Sequence, residues 1–369
     1  MLAGDKYYQS IWPDETAPGV IKVIDQNRLP FFLEIKELRS VEDVYNAIRD
    51  MTVRGAPLIG AAAAYGIYLA TLELTPVTEP RHHLENAARY LTSCRPTAVN
   101  LSRAVNYVMD AIKVGMLLNL LEETTLKAAN EFCEQEKENC RLIGEHGLSL
   151  IKKISQKKNG KPVNILTHCN AGWLACVDYG TATAPVYLAH QTGIPVHIWV
   201  DETRPRNQGS RLTAWELGQA GVPYTLITDN TGGHLMQHGM VDMVITGSDR
   251  TTVRGDVANK IGTYLKALSA QDNNIPFYSA FPSSTFDFSI SDGLTEIPVE
   301  ERDPEEVMSI EGFTGEKIER VRICPGNTVC SNFAFDVTPA RLITGLITEK
   351  GICNPSEKDI KKMFSDKIK

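Results

Sequence analysis

The chain has 369 residues, of which 43% are hydrophobic and 22% charged, and its formal net charge is -7. This composition is typical of a globular protein and excludes long disordered, collagen-like or coiled-coil organisation. The acidic balance gives no general attraction to nucleic acid or to an anionic membrane, so we expect neither as a partner.

The sequence also predicts the cellular compartment of the protein. Asp5, Lys6 and Asp14 leave no apolar signal-peptide core near the first residue. The most apolar stretch, residues 58–70, is shorter than the roughly 20 residues that span a bilayer, so we interpret it as a tightly packed helix. Eight cysteines are too sparse for a disulfide framework and predict free thiols. We therefore expect a cytoplasmic protein.

The first part of the chain is predicted to be mainly helical after a β-hairpin. Apolar runs at 21–24 and 31–35 flank a turn-rich segment and predict the hairpin. Helical spacing of apolar residues then predicts helices from residue 41 onward, over 58–70, over 82–91 and in long stretches over 104–147. The polar segment 152–161 is interpreted as a surface linker. The predicted domains are 1–147, helical with a hairpin, and 148–369.

Short apolar runs recur in the second part of the chain, and helix-like segments separate most of them. They lie at 163–167, 196–200, 224–228, 243–246 and 277–281. Strands that alternate with helices predict parallel βαβ units, so the fold class is α/β with a Rossmann-like doubly wound sheet in the second domain. Ligands of such sheets bind beyond the carboxyl ends of the strands. The residues that follow each strand are therefore the candidates for chemistry.

Two reactive side chains follow predicted strands. Cys169 lies between the first strand and a helix-like stretch, where a helix dipole would lower the pKa of the thiol. A buried, inert thiol is the alternative. Asp249 follows the fourth strand, where burial would raise its carboxyl pKa toward that of a general acid; an ion pair with Arg250 is the alternative. Because both residues lie at strand carboxyl ends, the sheet can bring them to one crevice.

Phosphate-binding signals come from both parts of the chain. Arg54-Gly55-Ala56-Pro57 precedes a predicted helix, whose N-terminal amides and dipole favour an anion that Arg54 can also bind. Arg95 lies near another predicted helix start, and Asn259 and Lys260 are predicted to begin a third helix. Each could instead be a solvated cap with a surface cation. Since no nucleotide-binding motif and no metal-ligand spacing is present, we expect no cofactor and no metal.

Eight ordered motifs resemble the methylthioribose-1-phosphate isomerase family, which is related in fold to the regulatory subunits of eukaryotic translation initiation factor two-B. They lie at 53–60, 95–101, 167–172, 201–212, 255–264, 282–286, 301–304 and 335–341, and together cover nearly the whole chain. The resemblance implies that Cys169 and Asp249 are catalytic. It implies substrate binding by the following residues: Arg54, Gly55, Ala56, Arg95, Gln208, Asn259 and Lys260.

The resemblance also implies a homodimer that pairs through the second domain. The sequence adds weak support, since several aromatic residues exceed what one sheet obviously needs to cover: Trp173, Tyr187, Trp215 and Phe335. Completion of the domain core is the alternative role for each of them.

The activity that the resemblance implies is conversion of 5-methylthioribose 1-phosphate into 5-methylthioribulose 1-phosphate in methionine salvage. Acid–base catalysis by Asp249 and Cys169 is expected, and a direct hydride shift from C2 to C1 is the alternative. The sequence departs from the family pattern at Ser248, Thr251 and Phe281, so the resemblance does not determine the 5-substituent of the substrate. The alternative substrates are 5-deoxyribose 1-phosphate and ribose 1,5-bisphosphate. A non-catalytic regulatory subunit is the third hypothesis, and the presence of Cys169 with Asp249 argues against it.

Overall fold

The computed structural model describes residues 1–95, 99–113 and 116–365. Its helices are α1 Val41–Arg49, α2 Ala56–Leu72, α3 Pro80–Ser93, α4 Val99–Asp110, α5 Leu118–Lys157, α6 Ala184–Gln191, α7 Ala214–Gln219, α8 Thr231–Gln237, α9 Thr263–Asp272, α10 Gly293–Glu296, α11 Glu305–Met308 and α12 Glu357–Met363. None of these described helices combines the length and the apolar character that a membrane crossing requires.

The strands, in chain order, are β1 Leu2–Ala3, β2 Lys6–Tyr7, β3 Ile11–Pro13, β4 Ile21–Ile24, β5 Ile35–Leu38, β6 Val163–Thr167, β7 Val196–Asp201, β8 Tyr224–Ile227, β9 Met243–Thr246, β10 Arg250–Thr252, β11 Val257–Lys260, β12 Phe277–Ala280, β13 Phe286–Asp287, β14 Ser309–Phe313, β15 Ile318–Arg322, β16 Phe335–Thr338, β17 Gly345–Thr348 and β18 Gly351–Cys353. The largest sheet that they form has seven strands in the order β18-β17-β12-β9-β6-β7-β8. The predicted α/β fold class is confirmed.

Helix α2 is the centre of the first part of the chain. Each residue from Ala56 to Thr71 is buried, because α1, α3, α4 and α5 pack around it. Small residues permit this close approach: a Cβ atom on Gly60 would lie 3.1 Å from the backbone oxygen of Asn100, and one on Gly66 would lie 2.8 Å from the side chain of Leu91. The interpretation of the most apolar stretch as a tightly packed helix is confirmed.

The predicted β-hairpin is present, but its second strand begins later than expected. Strand β4 pairs antiparallel with β5, Ile24 opposite Ile35, and β3 adds a third strand on the other side of β4. In the loop that connects β4 to β5, the amide of Phe32 donates to the backbone oxygen of Arg28 at 3.0 Å, so the hydrogen bond stays within the loop. Pro30 has no N–H to offer a neighbouring strand. Residues 31–34 therefore belong to the loop.

The seven-stranded sheet contains every strand predicted for the second part of the chain and adds β17 and β18. Its pairings are parallel except between β17 and β18. Along β6 the side chains alternate, so Ile165 packs on the face covered by α5, α6 and α7, whereas Leu166 packs on the face covered by α8, α9 and α12. This two-sided burial explains why the strands read as continuous apolar runs.

The chain order of the strands creates a crevice beside β6. From β6 the chain moves to β7 and β8 on one side, then returns to β9 on the other side of β6. Connections that leave neighbouring strands in opposite directions open a gap at the carboxyl ends of those strands, where ligands bind in such sheets. The segments that follow β6 and β9 carry Cys169 and Asp249, so the topology places both residues at this gap.

The predicted linker at 152–161 is wrong over its first six residues, because α5 continues to Lys157. Apolar side chains hold this helix against both parts of the protein: Phe132 packs with the core around α2, whereas Ile143 and Ile151 pack with the sheet. A continuous helix therefore crosses residue 147. The division into domains at that residue stays a prediction.

Most of the aromatic residues considered for an interface belong to the core of the chain itself. Trp173, Tyr187 and Phe335 are buried, and the ring centroid of Trp215 lies 6.0 Å from that of Trp173. They complete the interior, which is the alternative that the sequence had left open. They lend no support to a homodimer.

Candidate active site

A cleft of about 590 Å³ opens at the carboxyl ends of β6 and β9. Residues from both parts of the chain line it, and they include every position that the sequence analysis selected: Arg54, Gly55, Ala56, Arg95, Cys169, Gln208, Asp249, Asn259 and Lys260. The cleft combines one thiol, one carboxyl group and three cationic side chains from this set. Such a combination is suited to acid–base chemistry on an anionic substrate.

Cys169 is held in an unusual backbone conformation. Its φ angle is +65°, its exposure is 8%, its amide donates to Oγ1 of Thr203 at 2.9 Å and its carbonyl accepts from Oγ1 of Thr213 at 2.7 Å. A residue other than glycine adopts this left-handed conformation only where its surroundings enforce it. Since these contacts involve the backbone, the thiol group is left to face the cleft.

The expectation that a helix dipole acts on Cys169 is wrong. A short 3₁₀ turn follows at Trp173–Ala175, and α6 begins only at Ala184. The positive charge near the thiol comes instead from Arg54, whose Nη2 lies 3.9 Å from Sγ. The guanidinium group therefore places a positive charge beside the thiol group.

Asp249 lies between β9 and β10 on the opposite wall of the cleft. Its amide donates to the oxygen of Ala258 at 2.9 Å, which fixes the backbone. Burial raises the pKa of its carboxyl group, and the positive charges of Lys260, Arg95 and Arg54 oppose that rise. Arg250, the alternative partner, forms an ion pair with Asp287 at 3.7 Å. The carboxyl group of Asp249 is therefore available as an acid close to the cationic side chains of the cleft.

Arg54 enters the cleft just before α2. Its Nη1 donates to Oδ1 of Asn170 and its Nη2 to the oxygen of Asn170, both at 2.6 Å. The helix behind it approaches the neighbouring turn so closely that a Cβ atom on Gly55, where φ is +93°, would lie 2.5 Å from Cβ of Ala175. Glycine is required there, and the N-terminus of this 17-residue helix faces the cleft with its unpaired amides.

Arg95 is held by a chain of ion pairs. Its Nη2 lies 3.2 Å from Glu300, which also pairs with Arg302 at 2.9 Å. Arg302 pairs in turn with Glu306, and Glu306 with Arg206, at 2.9 and 3.1 Å. The chain orients the guanidinium group of Arg95 toward the cleft. Pro96 and Thr97, which completed the predicted motif, lie outside the described residues.

Asn259 and Lys260 were predicted to begin a helix, and this is wrong. They end strand β11, whose pairing with β16 sets Lys260 opposite Phe335, and α9 begins three residues later at Thr263. Lys260 is buried, which lowers its pKa, whereas its electrostatic interactions with Cys169 and Asp249 oppose this fall. The strand therefore brings a buried ammonium group close to both reactive side chains.

The sequence analysis did not identify a buried glutamate that lies behind the cleft. Glu216 accepts from Nδ2 of Asn170 at 3.0 Å, from the amides of Trp173 and Leu174 and from the hydroxyl of Tyr187 at 2.8 Å. Burial raises the pKa of its carboxyl group. Since Asn170 accepts from Arg54, this carboxylate orients the arginine through one intermediate side chain. No sequence pattern marks a glutamate as buried, because its neighbours come from distant segments.

A second charged cluster lies behind Cys169. His168, Asp201 and Asp229 hold their ligand atoms within 4.8 Å of one another, a grouping that could hold a metal ion and that the sequence analysis missed. Within the chain, Nδ1 of His168 lies 2.9 Å from Asp201, Nε2 lies 2.8 Å from the oxygen of Ile261, and Lys266 pairs with Asp201 at 3.1 Å. These contacts connect the Cys169 segment to the end of β11.

The remaining lining of the cleft is largely apolar. It includes Met51, Ala175, Phe281, Pro282 and Phe335. In the part of the chain that the structure describes, the cationic residues of the lining are the three already named. The sequence analysis noted Phe281 and Phe335 but did not place them at the site, since only the tertiary structure brings them to it. The lining of the cleft thus offers cationic side chains for an anion and apolar side chains for an apolar group, and the two sets adjoin, since Nζ of Lys260 lies 4.9 Å from the ring centroid of Phe335.

A protein-family profile and several known proteins are similar to this chain. The profile of the Initiation factor 2 subunit family matches residues 52–355. A methylthioribose-1-phosphate isomerase of Desulfatibacillum aliphaticivorans is 56% identical over 373 residues, with full coverage of both chains. The structure of 5-methylthioribose 1-phosphate isomerase from Pyrococcus horikoshii aligns with a TM-score of 0.84 at 37% identity, covering 98% of this chain and 97% of that one.

The solved structure of a translation initiation factor subunit is also similar to this chain. Translation initiation factor eIF-2B subunit delta from A. fulgidus aligns with a TM-score of 0.79 at 41% identity, covering 97% of this chain and all of that one. Similarity of the whole fold therefore does not by itself distinguish a catalyst from a regulatory subunit. The distinction depends on the residues of the site.

Proposed function

Since the chain belongs to the Initiation factor 2 subunit family, and its relatives at more than half identity are curated methylthioribose-1-phosphate isomerases, we propose that it catalyses the same reaction. It is an aldose–ketose isomerase that converts 5-methylthioribose 1-phosphate into 5-methylthioribulose 1-phosphate in methionine salvage. The observation that carries the proposal is the arrangement of Cys169 and Asp249 around one cleft that also holds Arg54, Arg95 and Lys260.

The substrate sets two chemical requirements. Because phosphate blocks the anomeric oxygen, the ring cannot open spontaneously to an aldehyde as free sugars do. The enzyme must break the bond between C1 and the ring oxygen, and it must move a hydrogen from C2 to C1. An acid is needed at the ring oxygen, and a base is needed at C2.

Asp249 supplies the acid in this proposal. Its carboxyl group has a raised pKa because it is buried, so it retains a proton that it can donate to the ring oxygen as that oxygen leaves C1. The resulting carboxylate then takes the proton of the C2 hydroxyl, which becomes the ketone. Asp249 thereby returns to its protonated form within each turnover.

Cys169 supplies the base. Its Sγ atom, which lies 3.9 Å from Nη2 of Arg54, removes the proton from C2 as a thiolate while the C1–C2 double bond forms and the ring oxygen departs. The thiol then returns that proton to C1, and the intermediate keeps its phosphate throughout. In the competing hydride shift, hydrogen moves directly between the two carbons, and Cys169 only stabilises charge or excludes water.

Arg54, Arg95 and Lys260 bind the phosphate, assisted by the N-terminal amides of α2 at Gly55 and Ala56. Removing one buried charged contact of this kind costs about 2–5 kcal/mol of binding free energy. Asn259 and Gln208 add polar contacts to the sugar. Apolar lining such as Phe281 and Pro282 accommodates a methylthio group, whereas a second phosphate would need further cations there.

Assaying the purified protein with three sugar phosphates tests the activity. We expect 5-methylthioribose 1-phosphate to give the highest kcat/KM, because its 5-substituent matches the apolar lining. The analogues are 5-deoxyribose 1-phosphate, which lacks the thiomethyl group, and ribose 1,5-bisphosphate, which adds a charge. Preference for the bisphosphate would refute the substrate assignment, and inactivity toward all three would refute the isomerase assignment.

We assign the protein to the cytoplasm as a homodimer. The free state of all eight cysteines supports a reducing compartment. A surface between residues 313 and 333 supports self-association, since it exposes several apolar side chains: Phe313, Val321, Ile323, Val329 and Phe333. These exposed apolar side chains are available for contact with a second copy of the chain, as the proposal requires.

Light scattering at micromolar concentration tests the homodimer. A twofold-symmetric interface uses the same patch of both copies and buries roughly 2,000 Å² or more when it is obligate. We expect a mass about twice that of one chain, in moderate as well as low salt, because apolar contacts are not screened. A mass equal to that of one chain, 40.8 kDa, would contradict the assignment.

A further inference from the structure

Part of the apolar lining of the cleft is anchored on helices from the first part of the chain. Residues 281–282, the apolar wall, line the cleft and are followed directly by the 3₁₀ turn Ser283–Thr285. Nδ2 of Asn100, in α4, donates to Oγ of Ser284 at 3.0 Å, and that hydroxyl donates to Oε2 of Glu136, in α5, at 3.3 Å. A chain of hydrogen bonds therefore connects two helices with the segment that carries the apolar wall.

The other side of the same segment is anchored on the large sheet. Glu349, which follows β17, accepts from the amide of Ser283 at 2.9 Å and also from its hydroxyl. The amide of Phe281 donates to the oxygen of Ile347, in β17, at 3.0 Å. The position of the apolar wall therefore depends on contacts with the sheet on one side and with α4 and α5 on the other.

Glu136 is a buried acid that the proposed reaction does not use. It is 3% exposed and does not line the cleft. Its Oε1 accepts from Nδ2 of Asn139 at 3.3 Å, so both oxygens of its carboxyl group accept hydrogen bonds, as those of an ionised carboxylate do. A protonated carboxyl group carries a hydrogen on one oxygen, so protonation disrupts one of these two bonds and weakens the other.

Two charged side chains and two thiols face this carboxyl group. Burial raises its pKa to about 7, the negative charge of Glu349 adds to the rise, and the positive charge of Arg103, in α4, opposes it. Burial raises the pKa of Cys133, and a contact with the thiol of Cys176 together with burial raises that of Cys140, so these neighbours in α5 stay uncharged. Glu136 therefore changes its charge near neutral pH.

We propose that Glu136 is a positioning residue for substrate selection, whose carboxylate holds the Ser283–Thr285 turn, and with it the apolar wall, against the 5-substituent of the sugar. The inference rests on the proposed function, which places the methylthio group at this wall. Protonation weakens the acceptor that Ser284 uses and removes the charge that attracts Arg103, whose Nη1 donates to the oxygen of Ser283 at 3.4 Å. Selection for the methylthio group therefore decreases as Glu136 is protonated.

The ratio of two kcat/KM values measures this selection. It compares 5-methylthioribose 1-phosphate with 5-deoxyribose 1-phosphate, which lacks the thiomethyl group, so titration of the phosphate, Cys169 and Asp249 affects both values alike. For the parent protein, we expect the ratio to fall by about tenfold from about pH 8 to about pH 6. Glu136→Gln has no proton to exchange, so its ratio should differ by less than about twofold between the two conditions.

Two further variants separate the connection from the charge. Ser284→Ala keeps the buried carboxyl group but removes its hydrogen bond to the turn, so its ratio should be low and independent of pH. The matched control is Glu131→Gln, which neutralises an exposed glutamate of the same helix and should keep the parent's change with pH. A residue that serves only the stability of the fold would leave the ratio unchanged in all three variants.

Glu136→Gln is expected to fold. Because burial raises the pKa of Glu136, the stability that its protonated form contributes is present at low pH and is lost as the pH rises through about 7. The neutral glutamine should therefore be at least as stable as the parent residue at about pH 8, which thermal unfolding would measure. If this variant did not fold, Ser284→Ala would decide the test.

The remaining outcomes overturn different statements. A parent protein that is active but has the same ratio at both pH values would refute the inference, and so would a Glu136→Gln protein whose ratio changes as the parent's does. A Ser284→Ala protein that kept the parent's change with pH would refute the connection through the turn. A parent protein inactive toward both sugar phosphates would refute the proposed function itself.

Discussion

Replacing Cys169 with serine is expected to lower kcat by about 10³–10⁴-fold while the protein stays folded. The hydroxyl group is far less acidic than the thiol, so it cannot act as the base even beside Arg54. Serine fits the site, because the contacts that hold residue 169 to Thr203 and Thr213 involve its backbone. Steady-state kinetics with 5-methylthioribose 1-phosphate would measure the loss, and KM should change little.

The matched control for this variant is Cys330→Ser. Cys330 is a free, half-buried cysteine that does not line the cleft, so its replacement should leave kcat within about twofold of the parent value. Thermal unfolding of both variants would establish that they are folded. A folded Cys169→Ser protein whose kcat stayed within about tenfold of the parent would eliminate the thiol as the base and favour the hydride shift.

Asp249→Asn should cause a loss of similar size for a different reason. Asparagine keeps the shape of the side chain but has no proton to transfer, so ring opening loses its acid, and kcat should fall by about 10²–10⁴-fold with KM retained. A substitution of Asp287, the carboxylate that pairs with Arg250, serves as the comparison. Asp287→Asn removes a nearby negative charge outside the cleft and should leave most of the activity.

The pH dependence adds a second readout for Asp249. Because burial raises its pKa, the acid form persists to higher pH than an exposed aspartate allows, and parent activity should decline as pH rises through that pKa. The part of the folding stability that depends on protonated Asp249 is present at low pH and is lost as the pH rises through the same pKa. Asp249→Asn should therefore be at least as stable as the parent protein at neutral pH. An asparagine variant that kept activity within about tenfold would exclude Asp249 as the acid.

Much of the secondary structure could be predicted from short-range patterns in the sequence. The predicted runs at 163–167 and 243–246 are strands with the same ends, and the small-residue stretch at 58–70 lies within the buried helix α2. These elements were predictable because their hydrophobic periodicity and length are local properties. The placement of reactive residues just after strands followed from the general geometry of parallel sheets.

The errors share a physical cause, namely that tertiary contacts override local patterns. The polar end of α5 stays helical because Ile151 packs against the sheet. Lys260 lies in a strand because β16 pairs with it, and the segment after Cys169 avoids a helix because Glu216 accepts the amides of Trp173 and Leu174. None of these partners is close in sequence.

By itself, the sequence determined the α/β class and the alternation of strands and helices, because local periodicity suffices for them. It also provided candidates for the acid, the base and the phosphate-binding residues, and the choice among these candidates came from the resemblance of the motifs to a family. The tertiary structure alone decided which groups share the cleft and why Asp249 has a raised pKa. Burial and charge proximity arise only when segments far apart in the chain are brought together, and therefore they cannot be read from neighbouring residues.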